Sequence, residues 1–239
     1  MNVFYLPEFK SGDIILNEEE SGHAVKVLRM KENDPVTMVD GKGNLIEGEI
    51  TIAHPKKCRI KVLKVNEEFG KKNYKLHLAV APTKNSDRME WLVEKAVEIG
   101  LDEFTPLICR YSERKQIHIN RLEKVAVAAM KQSLKAYLPL IHEMIPFEKF
   151  ISLDFQAKKF IAHCAPGEKF HLFSLIRQKE DILVLIGPEG DFSPDEILLA
   201  KQHGFQEISL GNSRLRTETA ALAAVHTVAL CNDIRNETI

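Results

Sequence analysis

No Gly-x-Gly-x-x-Gly stands anywhere in the 239 residues, which removes the turn that a dinucleotide-binding domain uses to bring backbone against a pyrophosphate. Cysteine is scarce and scattered: Cys58, Cys109, Cys164 and Cys231 stand singly, with no Cys-x-x-Cys pair. Such spacing indicates neither a disulfide framework nor a zinc site, and the four read as reduced, mostly buried thiols. No apolar run reaches the roughly eighteen residues of a membrane span. The start, Met1 to Pro7, lacks the basic flank and long apolar stretch of a signal peptide. Together these absences predict a cytoplasmic protein with no membrane and no metal. Charge of one sign is not in excess either: 33 Lys and Arg face 34 Asp and Glu, a net charge of −1. Bulk charge therefore does not make the chain a nonspecific coat for nucleic acid.

What is present is the composition of a globular chain, 44% hydrophobic and 28% charged, long enough for one large domain or two smaller ones. Residues 1–70 read as a small β domain. Val3–Tyr5 is a short strand, and Pro35–Asp40 and Leu45–Thr51 are strands joined by a hairpin turn with Gly41 and Gly43. Ser21–Arg29 reads as a short helix, and Cys58–Val65 as a half-exposed strand; a small barrel is the natural closure. Charge is local. Lys56, Lys57, Arg59, Lys61 and Lys64 stand together with no acid among them, and the period of two puts Lys57, Arg59 and Lys61 on one side of a strand. Arg110, Arg114, Lys115, His118 and Arg121 make a second cluster. Each cluster is either a solvated face or a phosphate-contacting surface.

Residues 66–73 are polar and mark a linker, and 74–239 read as a second domain. Leu76–Ala81, Phe104–Cys109 and Lys158–Cys164 are strands. Asp87–Gly100 is an amphipathic helix with Met89, Leu92, Val93, Ala96 and Val97 on one face; Asp87 and Glu90 cap its start and Gly100 ends it. Asn120 caps a further helix that ends at Leu138–Pro139. This alternation predicts crossovers and a mostly parallel sheet.

The last third carries the chemistry. Asp181–Ile186 is a continuous apolar run, a strand buried on both faces. Gly187–Gly190 breaks it, and Ser193, Pro194 and Glu196 then start a helix with a capping box that stops at Gly204. Glu207–Leu210 is a second strand, Gly211 opens a second loop, and Thr217 or Thr219 caps a long helix running towards Ile234. Either loop alone is an ordinary turn. Two glycine loops at the carboxyl ends of neighbouring parallel strands line one crevice, where open α/β sheets bind ligands.

The run Gly187, Pro188, Glu189, Gly190, followed by Leu210, Gly211 and then Leu215 to Ala220, resembles the SPOUT methyltransferases. Specifically, it is similar to the ribosomal-RNA uridine-N3 methyltransferases acting on the small subunit. His23 followed by Val27, Leu28 and Arg29, then Asp40, Gly41 and Gly43, resembles the PUA-like RNA-binding domain of that family. Lys84, Arg88, Met89, Glu90, Val93, Lys95, Glu98 and Gly100 look like its opening helix, and Gln132, Ser133 and Pro139 like a later motif. Three departures stand out: Asp191 replaces a usual glycine, Leu134 and Lys135 replace a small residue and an arginine, and Ser213 and Arg214 shift a basic position by one.

The resemblance implies an α/β SPOUT domain at 74–239 whose C-terminal segment threads a deep trefoil knot, beside a PUA-like β-barrel at 1–70. It implies S-adenosyl-L-methionine held by Ile186, Gly187, Pro188, Gly190, Leu210, Gly211, Leu215, Thr217, Thr219 and Ala220. It implies a homodimer, with 16S rRNA or the small ribosomal subunit as partner and N3 of a uridine as the methylated atom. Arg216 is the candidate for stabilising the uracil anion, and Glu189 and Glu218 are candidate proton acceptors. His23, Arg29, Lys57, Arg59, Lys61, Arg88, Arg110 and Arg114 are the candidates for RNA contact. The competing readings are a ribose 2′-O-methyltransferase of tRNA or rRNA and a noncatalytic RNA-binding assembly factor.

Overall fold

The computed structural model describes residues 3–234, and the chain divides into two compact units: residues up to 71 together with 127–138, and 72–126 together with the rest from 139 onward. The first unit therefore takes in twelve residues, 127–138, that the sequence reading assigns to the second domain.

In the first unit β1 (Val3–Tyr5), β2 (Ile14–Ile15), a short helix α1 (Glu18–Gly22), a π-helical turn (His23–Val27), β3 (Pro35–Val39), β4 (Leu45–Ile52) and β5 (Arg59–Asn66) follow in order. The helix begins earlier than the sequence suggests because Asn17 caps it, its side chain accepting the Glu20 N–H at 2.8 Å. The strands pair in the order β1-β3-β4-β5-β2 as a half-barrel sheet. Between β3 and β4 the buried Asp40 holds the turn: its carboxylate accepts the backbone N–H groups of Lys42 at 2.7 Å and Asn44 at 3.0 Å. Phe4, Leu16, Met38, Ile46, Ile50, Cys58 and Ile60 form the core under the sheet. β5 starts at Arg59, so Lys57 lies in the preceding turn and shares no strand face with Arg59 and Lys61.

The second unit runs β6 (Leu76–Val80), α2 (Ser86–Ile99), β7 (Glu103–Ile108), α3 (Ile119–Gln132), β8 (Leu140–Ile141), β9 (Ile145–Pro146), α4 (Phe147–Ile151), β10 (Lys158–Ala162), β11 (Phe170–His171), α5 (Leu172–Leu175), β12 (Ile182–Ile186), α6 (Pro194–Gln202), β13 (Gln206–Ser209) and α7 (Thr217–Ile234). The end of α3 belongs with the first unit. Asn85 rather than Asp87 caps α2, its side chain accepting the Asp87 N–H at 2.9 Å, and Met89, Leu92, Val93, Ala96 and Val97 are all buried. α3 starts one residue before Asn120, which is therefore not its cap. It closes well short of Pro139, in a turn where Leu134 takes a φ of +53° and the Lys135 N–H reaches the Met130 carbonyl.

The sheet order is β11-β13-β10-β12-β6-β7-β8, with β9 added beside β7, and every pairing is parallel. All five residues of β12 are buried, as a central parallel strand requires. Here the sequence reading needs correction: β12 and β13 are not neighbours, because β10 lies between them. A third loop, following β10, thus enters the crevice between the two glycine loops.

Candidate functional site

Because β10, β12 and β13 are parallel, their carboxyl ends open on one side, and a cavity of about 900 Å³ lies there. Its walls are Ala162–Lys169 after β10, Ile186–Asp191 after β12, and Ile208–Thr217 with Ala220 after β13. Three local devices fix these walls. Thr217, the first residue of α7, donates its hydroxyl to the Gly187 carbonyl at 3.1 Å, tying the second glycine loop to the first. Asp191 adopts a φ of +65°, and its carboxylate accepts the Cys164 N–H at 2.7 Å and the Phe192 N–H at 2.8 Å, tying the first glycine loop to the β10 loop. The Lys169 ammonium donates to the carbonyls of His163 and Ala165 and so closes the β10 loop on itself.

Gly211 has a φ of +117°, a conformation that side chains rarely adopt, and an added Cβ there would meet nothing within 4 Å. Its constraint is backbone geometry, held by the Ser209 hydroxyl on the Gly211 N–H at 3.1 Å. Gly190 is constrained by space instead, since a Cβ would come within 3.1 Å of Tyr111. Beneath the β10 loop His163 is buried, with Nε2 3.0 Å from Glu207. Burial, reinforced by Lys169, lowers its pKa against the opposing pull of Glu207. Apolar side chains (Ile186, Leu210, Leu215) alternate here with exposed loop backbone. A volume of this size and a lining of this kind fit a nucleoside-sized ligand.

Nine of the ten residues expected to hold a cofactor line this cavity: Ile186, Gly187, Pro188, Gly190, Leu210, Gly211, Leu215, Thr217 and Ala220. Glu189 and Arg216 line it as well. Thr219 and Glu218 do not. At about 100° per residue, Thr217 and Ala220 share one face of α7 while Glu218 and Thr219 turn to another. There they border a second cavity of about 330 Å³ with Asp87, Arg88 and Trp91. Glu189 is held by the Lys84 N–H, which donates to Oε1 at 3.0 Å. Sequence reasoning missed the β10 loop as a wall; its signal was the turn Ala165, Pro166, Gly167 closing a strand.

The basic candidates separate. His23, Arg29, Lys57, Arg59 and Lys61 are exposed on the first unit, with Lys61 3.6 Å from Glu49. In the second unit, Arg110 is exposed and 3.8 Å from Asp195, and Arg121 is 2.7 Å from Glu90. Arg114 donates to the carbonyls of Thr83 and Lys84 at 2.6–3.2 Å, so its guanidinium clips a loop. Arg88 faces Glu218 at the second cavity. At the amino ends of β6 and β7, His77, Glu103 and His142 place ligand-type atoms within 4.8 Å of one another, the one such group among the described residues. Those atoms are engaged internally, His142 with Glu103 at 2.9 Å and His77 with Thr105 at 2.8 Å.

A protein-family profile described as "RNA methyltransferase domain" matches residues 70–229, and one described as "RNA methyltransferase PUA domain" matches residues 16–63. The ribosomal RNA small subunit methyltransferase E of Rickettsia conorii is 30% identical over 227 residues, covering 92% of this chain and 91% of that protein. A probable rRNA-methyltransferase from Porphyromonas gingivalis has the same fold at a TM-score of 0.91 and 39% identity, covering 98% and 100% of the two chains. A ribosomal RNA small subunit methyltransferase E from Neisseria gonorrhoeae, solved bound to S-adenosyl methionine, matches at a TM-score of 0.85 and 26% identity, covering 97% and 98%.

Proposed function

The chain belongs to the RNA methyltransferase family, and from that membership we propose that it methylates N3 of a uridine in 16S ribosomal RNA, on the small subunit, using S-adenosyl-L-methionine. The observation that carries the reading is the cavity of about 900 Å³ built from three loops at the carboxyl ends of β10, β12 and β13. A SAM-bound relative of the same fold supports the choice of ligand. When bound, S-adenosyl-L-methionine supplies a methyl group on a sulfonium, an electrophile that needs no acid catalyst.

The residues divide the remaining work. Ile186, Leu210, Leu215 and Ala220 would give the adenine of the cofactor an apolar wall, while Thr217 and Asp191 hold the loop backbones in register. Uracil N3 carries a proton at neutral pH, so the chain must favour its loss. Arg216, exposed on the cavity wall, offers guanidinium donors to a uracil carbonyl and stabilises the anion as it forms. His23, Arg29, Lys57, Arg59 and Lys61 hold phosphates and position the RNA without reading its sequence. The knot and the homodimer belong to this reading. So does a cytoplasmic place of action beside the ribosome. No helix among the described residues is long and apolar enough to cross a membrane.

The test is mass spectrometry of nucleosides from small subunits lacking the modification, after incubation with the protein and S-adenosyl-L-methionine, with naked 16S rRNA in parallel. New 3-methyluridine is the expected product. A 2′-O-methylated nucleoside would transfer the chain to ribose chemistry, and absence of both product and cofactor binding would leave an RNA-binding assembly factor.

A further inference from the structure

Glu218 is only 7% exposed, and its Oε2 is buried without a hydrogen-bond partner among the described residues. Its Oε1 lies 3.7 Å from Arg88 Nε, beyond hydrogen-bond length. Buried carboxylate oxygens are seldom left this way, because water has been removed and nothing has replaced it. Both groups border the cavity of about 330 Å³. The third wall is Trp91, the sole tryptophan of the chain, 42% exposed and one turn along α2 from Arg88. Arg88 and Trp91, three residues apart, stand side by side on the helix surface.

A partly exposed indole, a neighbouring cation and an unpaired acceptor thus surround a space large enough for a planar ring. A ring that satisfies all three carries an N–H flanked by a carbonyl oxygen, which is the imide edge of uracil. A single turn of α7 separates this space from the larger cavity, with Thr217 and Ala220 on one side and Glu218 and Thr219 on the other.

Building on the methyltransferase reading above, we propose that the cavity of Arg88, Trp91 and Glu218 receives the target uracil. Glu218 Oε2 accepts the N3–H, Arg88 donates to one of the two carbonyl oxygens that flank it, Arg216, two residues before Glu218, donates to the other, and Trp91 stacks on the ring. Enzymes acting on a single base commonly take it out of the helix into such a pocket, stacked on an aromatic side chain. The contact with Glu218 also distinguishes substrate from product. As the methyl group bonds to N3 the N3 proton passes to Glu218 Oε2 and from there to water; the methylated uracil then has no N–H to offer, leaves the carboxylate unpaired again, and is released.

Trp91 makes the test direct, since its fluorescence reports on this cavity and nothing else in the chain. The full-length protein, without cofactor, is titrated with a short oligouridylate and with an oligonucleotide of the same length built from 3-methyluridine. The two carry equal phosphate charge and equal stacking surface, and differ in the N–H. Saturable quenching by the oligouridylate, with at least about tenfold weaker binding of the methylated strand, is expected. In Glu218→Ala, checked for folding by circular dichroism, the difference between the two strands should vanish. Equal quenching by both strands, or no quenching by either, overturns the assignment even if the variant cannot be folded. Calorimetry with S-adenosyl-L-methionine on the same sample separates the failures: cofactor binding that persists overturns only the base pocket, and cofactor binding that is absent overturns the parent reading with it.

Discussion

The carboxylate of Asp191 accepts the backbone N–H of Cys164 at 2.7 Å, across 27 residues of sequence. That single bond joins two of the three cavity walls. It also explains how aspartate serves at a position where the resemblance leads one to expect glycine. The residue sits at a φ of +65°, which aspartate tolerates better than most side chains, and its oxygens are used on Cys164 and Phe192. Replacing Asp191 with alanine keeps the unfavourable φ and removes both bonds, so a loss of about 1–3 kcal/mol is expected. Asp191→Gly relieves the backbone and should melt higher than Asp191→Ala, while both bind S-adenosyl-L-methionine more weakly than the native chain. Scanning calorimetry and isothermal titration on the pair check this; equal melting temperatures would show that the φ carries no cost.

Gly211 separates backbone strain from steric block. Gly211→Ala should lose about 1 kcal/mol through its φ of +117° while keeping the space above the loop. Gly211→Trp should fold and yet bind no S-adenosyl-L-methionine. Unchanged affinity in the tryptophan variant, measured by titration calorimetry, would remove this loop from the ligand site.

The strands of three residues or more, the capping box at Ser193 and nine of the cavity-lining residues were legible because they rest on local rules, apolar runs, cap spacing and glycine loops, whereas the two-residue strands β2, β8, β9 and β11 carry too little pattern to be read. Strand order was not. Nothing near β12 or β13 states that β10 lies between them, since that follows from packing remote segments, and so the loop after β10 went unrecognised as a wall. The placement of Glu218 and Thr219 was lost for another reason. A motif written along the chain treats adjacent residues as adjacent in space, whereas α7 sends them around its axis. Net charge in turn hid a division of labour, for Arg114 and Arg121 are engaged with their own unit while Arg29, Lys57 and Arg59 stand exposed.

That division is measurable. Arg59→Ala and Lys57→Ala should leave the melting temperature within a degree or two and each lower the slope of log affinity against log salt for rRNA by about 1. Arg114→Ala should instead lower stability by about 1–3 kcal/mol, because it abandons the Thr83 and Lys84 carbonyls. Filter binding across ionic strength, alongside thermal melts, distinguishes them. A salt slope indifferent to Arg59 and Lys57 would mark that surface as merely solvated.

Stability should fall in mild acid. Burial lowers the His77 pKa from 6.5 to about 4, outweighing the raising effect of Glu103, and neighbouring His142 lowers it further. The unfolded chain therefore takes up this proton near pH 6.5, while the folded chain resists until about pH 4. Across that window the unfolded state binds more protons, so stability present above pH 6.5 is lost as pH drops, by up to about 3 kcal/mol from His77. His163, whose pKa is also lowered by burial, adds with the same sign. Urea denaturation at pH 7.5 and 4.5, native against His77→Gln, should show the drop reduced in the variant; an equal drop in both would assign the acid sensitivity elsewhere.

In the hairpin of the first unit, Gly43 has no Cβ where one would fall 2.5 Å from the Tyr137 hydroxyl, and its N–H donates to the Ala136 carbonyl at 2.9 Å. The RNA-binding unit is therefore completed by residues translated long after its own strands have left the ribosome. Its gene segment is not a cassette. Exchanging residues 1–71 alone for those of another protein would leave the new hairpin without the Ala136 and Tyr137 that this one is built against.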